Sequence, residues 1–595
     1  MRKALDRSRI YISDLQRRMF FRAFVTAFAA AFTQTLAVLI DNVIVCACYG
    51  ETEIAAAALA GPFFYLLEIP AAGLAAGLQT VCAKELGAGR IERVNRLFSQ
   101  VFSLAAGVMA VLTVLAFLSV PQMAVLFGAR GKTAGLLPDA SEYLRGLSFE
   151  MVPYVLFCVM TPAVILDNGG RLIRIASLLG CVTDIVLDLA SVWLGWGLFG
   201  IGLASSASAA VYFLAALLHF AKPGRVLRLR LVRVRFREIR EIIVSSGPKA
   251  WQSLADALRS ALFVWLASAA GGVAGTCVLS IHETICYTIA IAASGIAGAA
   301  GILTGIGCGE KNGEDLKGIA VLALRYCLFL SAAVMGVLAW SARPLSAALT
   351  ESETAAGLLR GAVWCIIFTV PLLTLVRSRI ACLQAVGKIR GAQWMGFASN
   401  LVFPLAAAFL LRIPFGVLGV FLAFPAAPLM TLLTDWVIHA VRAGRAGGSG
   451  GGYLEVDGSF FAAPGDVISY PVETLKDCAL ASEQAVLFCR GHHLEERKCF
   501  LAGLCLEELT TNVVGHGLSG KRKLKTADIR VIIDGGDVIL RVRDSGPAFN
   551  LKRFEERLEK KKPGAAGNGR RILLGSAGSV AYYRTYGMNT TIIRV

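Results

Sequence analysis

The chain reads as a polytopic α-helical membrane protein of twelve spans, arranged as two six-helix bundles, followed by a cytoplasmic α/β domain. Three observations predict this. Of 595 residues, 56% are hydrophobic and only 17% charged, against about 45–50% and about 25% in an ordinary soluble domain. Apolar stretches long enough to cross a bilayer recur to about residue 441 and then stop. Glycines in the second half of that region repeat the spacing of the first. So much apolar surface excludes disorder. The 61 glycines show no every-third-residue period, which excludes collagen.

Residues 1–19 form a basic tail. The spans then read 20–48, 54–82, 97–120, 147–166, 172–195 and 200–221 for the first bundle (20–221). A basic bridge follows at 222–242. The second bundle (243–441) reads 243–270, 276–307, 318–340, 359–385, 391–411 and 416–441. The first span is too long, and too poor in a cleavage site, for a removable signal peptide. Connections alternate in charge. One side carries 28 Lys and Arg, eight of them in the bridge from Lys222 to Arg240, and the other side carries 6. Positive residues stay inside, so both termini are expected in the cytoplasm, with the chain in the plasma (inner) membrane.

A shift of about 219 maps span one onto span seven. Gly87 and Gly89 recur as Gly307 and Gly309, Gly169 as Gly387, and Gly197 and Gly200 as Gly416 and Gly419. Six helices per repeat give both halves the same orientation, as parallel repeats about an axis along the membrane normal. Such halves usually move a solute by rocking.

The net charge of +18 points to lipid headgroups and away from nucleic acid. Residues 1–452 carry 38 Lys and Arg against 24 Asp and Glu, whereas residues 453–595 carry 21 against 17. The 15 cysteines are scattered, several in apolar runs such as Cys46 and Cys48, and read as reduced core fillers.

Acids inside spans are costly and mark function. Asp41, Asp184, Asp188 and Asp256 survive there, with Glu283 near the start of span eight. Asp184 and Asp188 are four apart and share a helix face. Facing Asp41 across the first bundle, such carboxyls can load and release a proton or hold Na⁺. Glu68 and Glu283 are weaker candidates, read as interfacial.

The stretch from "LIDNVIVCACYG" to "CAKELGAGRIERVNRLFSQ" resembles the first two helices of the MATE (multidrug and toxic compound extrusion) transporters, and "DIVLDLASVWLGWGLFGIGLASS" their fifth and sixth. The resemblance covers about 20–441. It implies a twelve-helix secondary exporter, an H⁺ or Na⁺ antiporter of organic, often cationic compounds. Asp41 matches the family's acid on the first helix and Asp188 the acid of its "N-x-x-x-D" pattern, with Asp184 in place of the Asn. Asp256 matches an acid used in one branch, whose second acid in span ten is missing here. The wider superfamily includes lipid-linked glycan flippases, which remain an alternative.

"RAGRAGGSGGGY" (442–453) is a Gly-rich linker, and 454–595 is long enough for one core. The linker composition predicts a loosely tethered domain with few contacts to the membrane body. Its coarse order reads helix (476–491), helix (496–516), strand, strand, loop, helix, strand, strand, with hairpin turns at Gly535-Gly536 and at "YGM". "ARGKT" (129–133) lacks the first glycine of a P-loop. His492, His493 and His516 have no metal-ligand spacing. Three clusters carry chemistry: "LEELTTNVVGHG", with Glu508 and Asn512 on one helix face; "RVRDSGPAF", an acid at a strand end; and "GAAGNGRRILL", a Gly-rich turn before a helix.

In this order the clusters resemble the GHKL ATPase fold, and most closely the anti-sigma-factor serine kinases. The resemblance implies ATP and Mg²⁺ as ligands: Asn512 for Mg²⁺, Asp544 for adenine, Gly546 shaping the adenine pocket, Gly567 and Gly569 lining the phosphates, and Glu508 as general base. Ala548 departs from the family's last glycine, and the lid at 550–566 is short, which favours ATP binding over rapid turnover. Three readings follow: an ion-driven exporter with an ATP-binding regulatory domain; a membrane-tethered serine/threonine kinase or anti-sigma-like switch with a sensing body and a regulatory protein partner; and a glycan flippase.

Overall fold

The computed structural model describes the chain outside residues 1–11, 50–52, 54–55, 58, 128, 130–134, 223–224, 231, 350–352, 446–464, 519–526 and 549–577. Eleven of its helices are long and apolar enough to cross a membrane, and a pair bent by 43°, Leu137–Ser148 and Met151–Leu166, makes a twelfth span. The chain is thus a multi-pass membrane protein.

The spans are α1 (Asp14–Cys48), α2 (Gly61–Gly87), α3 (Ile91–Leu118), the bent pair α4 and α5, α6 (Gly170–Leu194) and α7 (Gly197–Ala221). After the bridge come α8 (Phe236–Gly272), α9 (Ala274–Gly309), α10 (Asp315–Ala347), α11 (Ala355–Val386), α12 (Ile389–Phe415) and α13 (Val417–Arg442). The entry of α1 is set by its sequence. Ser13 and Gln16 form a reciprocal cap in which each side chain accepts from the other's backbone N–H at 3.1 Å.

The internal repeat is visible in the backbone. Gly197 and Gly416, 219 apart, both take positive φ (62° and 56°), and so do Asn168 and Gly387 (60° and 91°). The glycines at the ends of α2 and α9 form the seam between the halves. A side-chain carbon at Gly87 would overlap the Ile306 carbonyl, and one at Gly309 would overlap that of Lys84. Only hydrogen at these positions lets the two backbones come so close. The described residues of the bridge ahead of α8 run along α3. The backbone N–H groups of Arg228, Arg230 and Val232 donate to Asn95, Ser99 and Ser103 at 2.8, 3.2 and 3.2 Å. Those acceptors recur at four-residue spacing, one helix face.

The C-terminal domain is a five-stranded antiparallel sheet, order β1-β2-β3-β5-β4, from β1 (Val467–Val472), β2 (Ala527–Asp534), β3 (Asp537–Asp544), β4 (Ser579–Thr585) and β5 (Met588–Arg594). Helices α14 (Leu475–Gly491) and α15 (Glu496–Leu518) pack on one face over a core that includes Ala485, Cys505, Leu506, Val531, Leu540 and Val542. Both hairpins form where expected. Gly535 and Gly536 have φ of 61° and 87°, Tyr586 and Gly587 51° and 77°, the mirror-image turns that match strand twist. Strand β1 is an addition to the predicted order. Pro471 argues against a central strand, and the structure puts β1 at the sheet edge, where a missing N–H costs no ladder bond. The helix expected between β3 and β4 lies outside the described residues.

The domain is not loosely held. Its other sheet face lies against the basic end of the membrane body. Tyr583, Tyr586, Met588 and Ile592 share one buried apolar cluster with Leu86, Ile306 and Leu166 of the spans.

Candidate functional site

Asp41 arrives on α1, and Asp184 and Asp188 on one face of α6, a turn apart. One carboxyl oxygen from each lies within 4.8 Å of the others. Asp184 and Asp188 are buried and Asp41 half-buried. Helix α6 packs tightly on α7. A side-chain carbon at Gly180 of α6 would overlap the Tyr212 ring of α7. Asp41 Oδ1, Asp184 Oδ1 and both oxygens of Asp188 have no hydrogen-bond donor among the described residues. Buried polar atoms are normally satisfied, and three carboxylates this close repel unless something positive is shared among them. The arrangement suits a proton or a small hard cation with oxygen ligands. Glu150, at the break between α4 and α5, brings a further carboxyl to the electrostatic field of Asp41 and Asp184. Its place at a span boundary hid it in the sequence.

Asp256 does not join this group. It lies on α8 in the second bundle, 3.9 Å from Arg259, three residues on. Arg259 also pairs with Glu283 at 2.9 Å, and Ser260 donates to the other oxygen of Glu283 at 3.1 Å. Glu283, half-buried, thus sits in an ion pair with Arg259 of α8. Glu68 of α2 accepts from Tyr154 at 3.0 Å. The second bundle therefore brings its own cation to its acids, whereas among the described residues the first brings none within the cluster.

In the C-terminal domain, Glu508 and Asn512 meet on α15, where Asn512 Nδ2 donates to the Glu508 carboxylate at 2.9 Å. Asp544 ends β3 and is buried. Its Oδ1 accepts from Gly546 N at 2.7 Å and Asn589 Nδ2 at 2.9 Å. Burial raises the Asp544 carboxyl above the usual aspartate range, and those two hydrogen bonds offset part of the rise. Gly567, Gly569 and the lid lie outside the described residues, as do the side chain of His516 and Lys560 to Lys562.

Comparison with known proteins supports the fold of the membrane body. The MatE family model matches residues 27–190, the segment that carries Asp41, Asp184 and Asp188. The solved structure of an outward-facing multidrug resistance MATE family transporter of the MOP superfamily aligns with a TM-score of 0.67 at 21% identity, over 72% of this chain and 96% of that one. A MOP superfamily transporter from Pyrococcus furiosus aligns at 0.65 and 22%, over 73% and 99%. A variant of the Vibrio cholerae MATE transporter VcmN aligns at 0.66 and 14%, over 72% and 97%.

The membrane body has the MATE fold. Comparison with curated proteins gives no match. The MATE-like body ends at about the last span, and the α/β domain beyond it lies outside the matched family segment.

Proposed function

We propose that the chain is a secondary active exporter of the MATE type, which trades H⁺ or Na⁺ for organic, cationic compounds, and that its basic end faces the cytoplasm. The observation that carries this is the cluster of Asp41, Asp184 and Asp188, three carboxyls within 4.8 Å inside the first bundle with unpartnered oxygens. A carboxyl so placed takes up a proton or cation from one side and releases it to the other when the halves rock. Asp256 is a weaker member of the set, because Arg259 stands beside it. The positive-inside bias and the multidrug transporters among the matched folds support the direction and the substrate class.

The same proposal gives the C-terminal domain a regulatory, ATP-binding role. Its described part fits the adenine and metal ends of such a site. Asp544 is buried and oriented by Gly546 and Asn589, as a base-recognising acceptor should be, and Asn512 lies beside Glu508. ATP bound there would supply a phosphoryl group. Asn512 would hold its Mg²⁺, Gly546, Gly567 and Gly569 would form the pocket walls, and Glu508 would accept a proton from an attacking hydroxyl or water. The pairing of Glu508 with Asn512 keeps the serine/threonine kinase reading in play as the second one.

The test is ion-gradient-driven uptake of a cationic dye into inverted vesicles. Wild type should accumulate dye and Asp41→Asn should not. Equal accumulation by both under a pH or Na⁺ gradient removes the cluster from coupling.

A further inference from the structure

We propose that the outer face of the C-terminal sheet is a latch, a docking surface for the closed cytoplasmic seam of the body that holds the two bundles together and must lift before they part. The proposal rests on the reading that the bundles rock.

The sheet grips each bundle at a turn. On the second bundle the grip is ionic. Glu310, the residue after α9, is buried between Arg541 and Arg543 and pairs with both. These arginines are two apart on β3 and therefore share one face of the sheet. Tyr583 donates to Glu310 at 2.9 Å. Asp315 lies 3.3 and 3.5 Å from the two guanidinium groups, and Lys311 pairs with Asp534 at 2.7 Å. On the first bundle the grip is made by hydrogen bonds. Thr585 donates to the Leu166 carbonyl at 2.5 Å, and Gly587 N to Asn168 Oδ1 at 2.7 Å. Arg22 of α1 reaches the Tyr586 carbonyl at 2.7 Å.

Strands β3, β5 and β4 are adjacent in one hydrogen-bonded sheet, so the two grips belong to one rigid piece. Beneath it runs the glycine seam where Gly87 meets Ile306 and Gly309 meets Lys84. Separation of the cytoplasmic ends would carry Glu310 away from Asn168. The sheet cannot follow both, so one grip has to break first. The interface mixes these ion pairs and hydrogen bonds with apolar contacts from Tyr583, Tyr586, Met588 and Ile592 and, at its edge, Ile539 and Ala581. Such a surface can meet water when lifted, as interfaces between domains that move usually can.

The test uses the full chain carrying a protease site in the Gly-rich linker, in membrane vesicles open to the reagents. Two readouts are taken after cleavage: whether the C-terminal domain stays with the membrane pellet, and how fast N-ethylmaleimide labels Cys308, resolved by peptide mass spectrometry. Cys308 is buried beside Gly309 at the seam, and Cys365, buried in the second-bundle core, is the internal control. In wild type the domain should pellet and Cys308 should label slowly. In Arg541→Glu with Arg543→Glu the domain should leave the membrane, and Cys308 labelling should rise about tenfold or more while Cys365 stays slow.

A surface variant guards against misfolding. Lys311→Glu should loosen the domain, and Lys311→Glu with Asp534→Lys should restore its retention. Release of the domain with Cys308 labelling unchanged overturns the latch. Retention of the domain in both the double arginine variant and Lys311→Glu overturns the dock itself. Neither readout requires a transported solute, so failure of the exporter reading would show separately, as no dye uptake by a protein whose latch behaves as described.

Discussion

Glu310→Gln should detach the C-terminal domain, and the size of the effect follows from the charges around it. Burial alone would raise the Glu310 carboxyl, but Arg541 and Arg543 override it and hold the group at about 2, against an ordinary 4.5. A drop of that size corresponds to about 3 kcal/mol of differential stabilisation of the charged form. A second route gives a similar figure. Removing one partner of a buried ion pair costs about 3–5 kcal/mol, and here Asp315 and Asp528 remain near the guanidinium groups, which favours the lower end. About 3 kcal/mol is roughly a 150-fold weaker dock. The sign for pH follows. A depressed carboxyl stabilises the docked state fully above its ordinary value, and the contribution is lost as pH falls from about 4.5 towards 2. The assay is sedimentation of linker-cleaved protein across pH 8 to 5, with dilution to titrate retention. Wild-type retention should be flat over that range and Glu310→Gln should need roughly 150-fold more protein for equal retention. A wild-type loss centred between pH 5 and 7, or a Glu310→Gln variant retained like wild type, would refute the assignment of Glu310 as the ionic anchor.

Three further outcomes are expected. Asp188→Asn should reduce dye export to background while the protein stays folded by size-exclusion and thermal melting, because an amide cannot carry a proton through the cycle; full export under a pH gradient would count against it. Gly87→Val should force the seam apart at the Ile306 carbonyl, a cost of about 1–3 kcal/mol, seen as faster Cys308 labelling with the domain present; slow labelling would mean the backbones have room to spare. Asn512→Ala should weaken ATP binding about 10–150-fold with Mg²⁺ present and little without it, whereas Asp544→Ala should weaken it in both conditions and blunt the preference for ATP over GTP; calorimetry on the full chain decides, and equal effects with and without metal would remove Asn512 from the metal.

The spans were legible because roughly 20 apolar residues in a row have few other uses, and the acids because a carboxylate in such a run is conspicuous. The repeat was legible through glycines, and the backbone shows why: Gly197 and Gly416 carry the same positive φ. Arg259 is not legible in the sequence for a physical reason. An acid in an apolar run is conspicuous by itself, while the meaning of Asp256 and Glu283 lies in a guanidinium that reaches both. The dock was hidden more deeply. Arg541 and Arg543 alternate with Val542 on β3, the pattern of a strand with one face in water. Nothing local says that Glu310, more than 200 residues earlier, covers that face. Pro471 concealed β1 in the same way, since an edge position is a property of the sheet and not of the strand.

The two bundles share a fold and a repeat but not an electrostatic state, and that difference bears on where the proposed coupling would sit. A carboxyl already paired with an arginine gains little from a proton or Na⁺, since the incoming charge must displace a partner that cannot leave. Arg259 is such a partner for Asp256 and Glu283. Among the described residues, no comparable cation stands in the cluster of Asp41, Asp184 and Asp188, and the oxygens of all three include ones without a donor. On the proposed exporter reading, ion exchange would belong to the first bundle, and the second would be the body against which it moves. The sheet is anchored accordingly: by an ionic clasp to the second bundle at Glu310, and by neutral or singly charged hydrogen bonds to the first at Leu166, Asn168 and Arg22. The grip without a buried ion pair is the one that breaks at lower cost. When the halves part, the domain should stay with the second bundle and release the first, the half that carries Asp41, Asp184 and Asp188.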